Sequence, residues 1–279
     1  MDDFAGGMPL MSLWTWFGLK EGRASTGWPL ADGVDGQDGQ DGVLGMPRFD
    51  PAKCAPGCDA CARACETHAI ALDPSMATPV VDWGRCIVCQ RCTEVCPTGA
   101  FIPSEDWAVG VHERVDLKWD AAMSQRVVRE VVDDTRRAFG RSLHIRHVDA
   151  GSCNGCESEL QALNNPFYNL HRLGIFFTPS PRFADVLLVT GPVTKAMRQP
   201  LLETWEAMPS PRWVVATGTC AVSGGMTGGN YACGTGLDDV LPVDIYLPGC
   251  PPNPAALLHA LLMLVGRSRQ RMRGGEIER

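Results

Sequence analysis

No stretch of this sequence gathers lysine and arginine into a block, and the formal net charge is −7. A surface built to neutralise phosphates is thereby excluded, and nucleic acid is not an expected partner. Long hydrophobic runs are missing as well: the most apolar segment, Leu257 to Gly266, is interrupted by His259 and falls short of the roughly 20 residues that cross a bilayer. The first residues hold no basic region, no continuous apolar core and no twin-arginine pair, so no export signal is expected and the chain is placed in the cytoplasm. The phosphate-cradling pattern G-x-x-x-x-G-K-[ST] is also absent, which argues against nucleotide binding at the glycines around Cys220: Gly218, Gly224, Gly225, Gly228 and Gly229. Those glycines suggest instead a loop where backbone must approach something closely.

Cysteine is what the chain has in excess, with 13 in 279 residues. In a reducing compartment that density points to metal ligands or reduced thiols rather than disulfides. A hydrophobic content of 45% is enough to bury a core, and the length suggests one large domain plus a small one.

The first cysteine-rich region contains two runs. One is Cys54-x3-Cys58-x2-Cys61-x3-Cys65; the other is Cys86-x2-Cys89-x2-Cys92-x3-Cys96-Pro97. Three closely spaced thiols let one short loop wrap three corners of a compact cluster, with a distant fourth to complete it. A pair of zinc sites is the competing reading, but paired knuckles have a different spacing. His68 follows the first run and reads as a solvated or packing histidine, because the thiols already suffice.

In the second region each cysteine site follows a short β-rich run. Leu143 to Val148 precedes Cys153 and Cys156, Trp213 to Thr217 precedes Cys220, and Val243 to Leu247 precedes Cys250. If those strands are parallel neighbours, all four thiols emerge outside the carboxyl edge of one sheet, where open α/β folds hold ligands. Four thiolates there would form a metal or iron–sulfur site. A further strand is expected at Ala184 to Thr190, with helices at Glu157 to Leu163, Leu201 to Met208 and from Asn253 through Leu264. The alternation predicts an α/β fold, a small flavodoxin-like parallel sheet with helices on both faces. The boundaries expected are an N-terminal extension and linker over 1–48, the first cysteine domain over 49–105, a linker and connecting helix over 106–141, and the sheet domain over 142–279. Within these, Asp32 to Gly45 is a Gly/Asp/Gln loop, 104 to 119 reads as linker, and a helix starts at Asp120. The patch Trp14, Trp16 and Phe17 either packs locally or docks on a partner.

The second run, with Pro97, resembles bacterial two-cluster ferredoxins residue for residue. Two departures mark the first run: three residues separate Cys54 from Cys58, and Glu66 stands where proline is usual. The resemblance implies a small α+β domain with two [4Fe–4S] clusters. It assigns Cys54, Cys58, Cys61 and Cys96 to one, and Cys65, Cys86, Cys89 and Cys92 to the other.

The segments Cys153-Asn154-Gly155-Cys156-Glu157, Gly218-Thr219-Cys220-Ala221 with Ser223-Gly224-Gly225, and Leu247-Pro248-Gly249-Cys250-Pro251-Pro252 together resemble the small subunit of group 4, membrane-bound [NiFe] hydrogenases, in the superfamily of the 20 kDa subunit of complex I. The resemblance covers roughly 142 to 266. It implies a third, proximal [4Fe–4S] cluster on Cys153, Cys156, Cys220 and Cys250. It also implies a separate large subunit with the nickel–iron centre, integral membrane subunits, and a formate dehydrogenase or ferredoxin as electron donor. By the same resemblance the chain sits on the inner face of the cell membrane through its partners and relays electrons from the ferredoxin clusters to the proximal one. Complex I relatives carry adjacent cysteines at the first position, so the Cys-Asn-Gly-Cys spacing favours the hydrogenase branch. The alternative is a complex I-like quinone or ferredoxin oxidoreductase without hydrogenase activity. Glu157 is either a proton relay towards the large subunit or an acid in the first turn of a helix. Cys233, outside the three sets, is expected to be a buried thiol.

Overall fold

Two short antiparallel pairings frame the first cysteine-rich region. In the computed structural model, which describes residues 16, 17, 19, 20, 43–72, 78–119 and 142–277, β1 (Arg48–Phe49) pairs with β4 (Phe101–Ile102). A second sheet joins β2 (Ile70–Ala71), β3 (Val80–Asp82) and β5 (Lys118–Trp119). Between them lie two single-turn helices, α1 (Ala60–Ala64) and α2 (Arg91–Val95). Elements this short cannot bury much by themselves, and aromatic rings supply the core. Phe49 and Phe101 lie 4.6 Å apart, and Trp119 meets Phe49 edge-on at 4.8 Å.

Trp119 belongs to the segment read as a linker, and here the structure differs. Residues 107–111 and 117 are buried, Val111 bridges Tyr246 of the sheet domain, and β5 completes a sheet of the ferredoxin-type domain. The reason is local: Trp107, Val109, Val111, Leu117 and Trp119 are apolar and have somewhere to pack. Gly45, at the end of the expected loop, likewise donates its N–H to the Ser104 carbonyl at 2.8 Å. The helix expected from Asp120 lies outside the described residues, as does Trp14. Trp16 and Phe17 are exposed and in edge-to-face contact at 5.3 Å, with the Lys20 ammonium 5.4 Å from the Trp16 ring. They fall in the unit Met1–Asp38, while all the residues below fall in Gly39–Arg279.

The sheet domain has the order β10-β9-β8-β6-β7, every pair parallel. Its strands are β6 (Leu143–Asp149), β7 (Ile175–Phe177), β8 (Val186–Thr190), β9 (Trp213–Thr217) and β10 (Ile245–Leu247). Taken in chain order this is the flavodoxin-like arrangement. The central β8, Val-Leu-Leu-Val-Thr, is buried at every position, as a parallel strand covered on both faces must be. The helices are α3 (Gly155–Ala162), α4 (Lys195–Glu206), α5 (Gly218–Ser223) and α6 (Pro254–Leu264). Among the described residues no helix is long and apolar enough to cross a membrane.

Helix α6 is apolar all round and buried along its whole length; Asn253 caps it by accepting from the Ala256 amide at 2.7 Å, with Pro254 at its first position. Its one titratable residue is His259. Neither ring nitrogen has a well-formed hydrogen bond among the described residues. Burial lowers its pKa to about 4, the Arg271 cation adds to the shift, and the Arg269 backbone offsets only part. The neutral form is therefore the one that folds, and its contribution is complete above the unfolded value near 6.5. As pH falls from there towards 4, the unfolded chain takes up a proton that the folded chain refuses, and stability declines. Between pH 7 and pH 5 the loss should be about 2 kcal/mol. Denaturant titrations of wild type and His259→Leu check this: the variant should lack that part of the acid slope, and equal slopes would refute it.

Candidate metal centres

In the ferredoxin-type domain both cysteine runs begin with the same device. Asp50 accepts from the Ala52 amide at 3.0 Å and Asp82 from the Gly84 amide at 3.0 Å, each opening one turn of 3-10 helix that ends at Cys54 or Cys86. The repeated Asp-x-x-x-Cys was legible in the sequence as a signal that the two runs are structurally equivalent. Past the fourth cysteine the equivalence continues: Ala69 donates its N–H to Cys65 Sγ and Ala100 to Cys96 Sγ, both at 3.2 Å. Within the second run Val88 and Gln90 take left-handed backbone conformations, φ 60° and 61°. For a β-branched residue that is an outlier tolerated where a loop must wrap something. The Val88 N–H lies 3.4 Å from Cys86 Sγ.

The thiols exchange between runs. Cys54, Cys58 and Cys61 line one small cavity together with Cys96. Cys65 lines another with Cys86, Cys89 and Cys92. Burial, followed by the neighbouring thiols, pushes Cys61 up to about 11 and both Cys86 and Cys92 up to about 12. Cys96 goes the other way, because hydrogen bonds from the Phe101, Thr98 and Ala100 region outweigh its burial. Thiols crowded this way resist ionising together, and cationic iron is the kind of charge that would let them. His68 is exposed.

At the sheet, register does the gathering. Asp149 is paired with Thr190, Thr190 with Thr217, and Thr217 with Leu247, so four strands end in one row. Of the three strands that lead to thiols, β9 and β10 are adjacent while β8 separates β9 from β6, and all run the same way. Cys153 and Cys156 follow β6, Cys220 sits in α5 and Cys250 follows β10. Each of Cys156, Cys220 and Cys250 has its pKa raised, by burial first, with the other thiols of this group among the lesser causes, and Cys220 reaches about 11. Glycine makes the approach feasible. A Cβ on Gly218 (φ +86°) would lie 2.7 Å from Cys156 Sγ, and one on Gly225 would lie 2.7 Å from Cys220 Sγ.

Several residues of this edge were not singled out from the sequence. Asp149 accepts from the Gly151 and Ser152 amides at 2.8 and 2.6 Å. Burial works to raise its pKa, but those amides outweigh it and hold it below the ordinary carboxylate range. Ser152 donates to Glu157 Oε2 at 2.7 Å, and the Thr190 hydroxyl donates to Glu157 Oε1. His147 Nε2 lies 2.9 Å from the Thr190 oxygen, so with that hydroxyl already donating, His147 is the donor to it. Glu157 stands in the first turn of α3 with its side chain 11% exposed, and both carboxylate oxygens are engaged. Cys233, expected to be buried, is half-buried, and it is near enough to Cys220 to interact with it electrostatically. It sits in a turn held by Asn230 rather than in the core.

Two of the four-thiol sets each line one cavity, and the all-thiolate donor type suits iron–sulfur clusters. The fold thus combines a ferredoxin-type dicluster domain with a flavodoxin-like sheet carrying a third thiol set at its carboxyl edge. The chain belongs to the NADH ubiquinone oxidoreductase 20 kDa subunit family, whose model matches residues 153–264, and the 4Fe–4S dicluster domain matches residues 53–100. Formate hydrogenlyase subunit 7 of Escherichia coli is 46% identical over 132 residues, 47% of this chain and 52% of that one. The chain therefore spans about half the length of that relative. The probable membrane-bound hydrogenase subunit mbhJ of Pyrococcus furiosus is 39% identical over 136 residues, covering 49% of this chain and 81% of that one. A solved chain of the membrane-bound sulfane sulfur reductase, an archaeal respiratory membrane complex, is 35% identical and covers 47% of this chain and 75% of its own, with a TM-score of 0.41.

Proposed function

We propose that this chain is the electron-transfer small subunit of a membrane-associated [NiFe] hydrogenase of the formate hydrogenlyase kind. The observation that carries the reading is the grouping of twelve thiols into three sets of four, two lining cavities of the ferredoxin-type domain and one gathered beyond the carboxyl edge of the sheet. The Cys-Asn-Gly-Cys spacing and the identity to hydrogenase subunits over the sheet domain support the hydrogenase branch. Cys54, Cys58, Cys61 and Cys96 would hold one [4Fe–4S] cluster, Cys65, Cys86, Cys89 and Cys92 a second, and Cys153, Cys156, Cys220 and Cys250 the third. Bound there, such clusters supply one-electron transfer over a wide range of potentials.

The chain's own residues do the rest. Amides of Ala69, Val88 and Ala100 donate to ligand sulfurs, a lever on potential. Asp149 and Glu157 fix the loop that carries Cys153. Cys153 and Cys250 are exposed, so the sheet-edge set opens to the surface that a large subunit bearing nickel and iron would cover. Integral membrane subunits would hold the assembly to the inner face of the membrane, with a formate dehydrogenase or a ferredoxin as donor. Glu157, tied to Ser152 and Thr190 beside that surface, is the candidate proton relay.

Anaerobic reconstitution tests the reading. The chain should be brown, hold about twelve iron atoms and show three [4Fe–4S] signals by electron paramagnetic resonance; fewer than three centres, or stoichiometric zinc, would overturn it. A large subunit lacking two paired-cysteine nickel sites would overturn the hydrogenase assignment alone and leave a complex I-like oxidoreductase.

A further inference from the structure

Thr219 is the second residue of α5 and is 1% exposed. Its hydroxyl donates to the Cys86 carbonyl at 2.8 Å and accepts from the Gly249 amide at 3.1 Å, while its own N–H donates to the Gly249 carbonyl at 2.9 Å. Cys86 lies in the ferredoxin-type domain, 133 residues away; Cys220 is the next residue along α5, and Gly249 immediately precedes Cys250. One buried hydroxyl, with its donor and its acceptor capacity both in use, therefore joins the backbone of one four-thiol set to residues flanking two thiols of another. A second contact runs alongside it: Val88, between Cys86 and Cys89, shares a cavity with Pro248, Gly249 and Pro251 around Cys250. By contrast, among the described residues no hydrogen bond joins Cys54, Cys58, Cys61 or Cys96 to the sheet domain.

We propose that Thr219 is the positioning residue that fixes the order of electron transfer within the chain. It holds the Cys65, Cys86, Cys89 and Cys92 set against the Cys153, Cys156, Cys220 and Cys250 set, and leaves the Cys54, Cys58, Cys61 and Cys96 set as the outer end. The inference rests on the function proposed above. The exchange it serves moves one electron: one centre is oxidised by one electron, the other is reduced by one, and Thr219 keeps its proton throughout.

Thr219→Val removes the hydroxyl at nearly constant shape and leaves the Cys86 carbonyl and the Gly249 amide unpaired in a buried place. In the full, anaerobically reconstituted chain, iron content should be unchanged. The rate of internal electron exchange after rapid one-electron reduction should fall about tenfold, equivalent to roughly 1.4 kcal/mol. The magnetic interaction between the two neighbouring reduced centres should weaken as well. Thr219→Ser, which keeps the hydroxyl, should stay near wild type in all three. An unchanged rate in the valine variant, or equal slowing in the serine variant, overturns the proposal. Should the valine variant lose iron, distances between centres in the wild type decide: the centre whose signal Cys89→Ser alters must be the one nearer the sheet-edge centre, and the reverse order overturns the proposal. A wild type without three centres would instead defeat the functional reading itself.

Discussion

Cys156→Ser is expected to lower the iron content of the anaerobically reconstituted chain from about twelve atoms to about eight, removing one [4Fe–4S] signal and sparing two. Of the sheet-edge thiols Cys156 is the buried one, while Cys153 and Cys250 are exposed. It sits at the start of α3, and Gly218 leaves room for its sulfur. A serine oxygen there is a shorter, harder ligand, and burial leaves little access for water to replace it. Cys153→Ser should be milder, because its exposed position lets solvent or a hydroxyl complete the coordination. The two other sets line separate cavities in the ferredoxin-type domain, so they should persist. Iron assay with resonance spectroscopy reads the result. Twelve atoms retained would remove Cys156 from the ligand set, and loss of all three signals would mean that the sets are not independent.

Gly218→Val should have nearly the same effect without deleting any thiol. The position has φ +86°, and a Cβ there would meet Cys156 Sγ at 2.7 Å. The left-handed backbone alone costs a β-branched residue about 1–3 kcal/mol. The clash is the larger matter, since Cys156 must retreat from the place where it joins Cys153, Cys220 and Cys250. About four iron atoms should be lost, with the ferredoxin-type signals intact. Gly57→Ala is the control: φ is +73°, but nothing lies within 4 Å of the added carbon. It should cost about 1 kcal/mol and no iron. If both variants keep all their iron, glycine at 218 serves only the turn.

The strand β9 was legible to the residue, Trp213 to Thr217, because a β-rich run ending at a glycine admits little else. Strand β7 was not anticipated: it is a three-residue edge strand, Ile175–Phe177, held by pairing with Leu143 to Ile145 rather than by its own pattern. Helix α5 read as a loop for a similar reason. It runs from Gly218 to Ser223 with Gly224 as its cap, and packing against the Trp83–Arg85 turn and against β9, β10 and β8 selects helix for those six residues.

By itself the sequence determined the chemistry: thiol type, run spacing and the turn residues around each cysteine are local properties, and they name an iron–sulfur protein with a parallel sheet. Tertiary structure decided what depends on partners distant in the chain. Residues 106–111, 116, 117 and 119 became part of the core because Trp107, Val111 and Trp119 found apolar neighbours. Glu157 became a fixed group because Ser152 and Thr190 converge on it. Thr219 became the tie between two thiol sets because its hydroxyl meets a carbonyl 133 residues away. A hydroxyl's partners are set by folding in three dimensions, and no spacing rule along the chain encodes them.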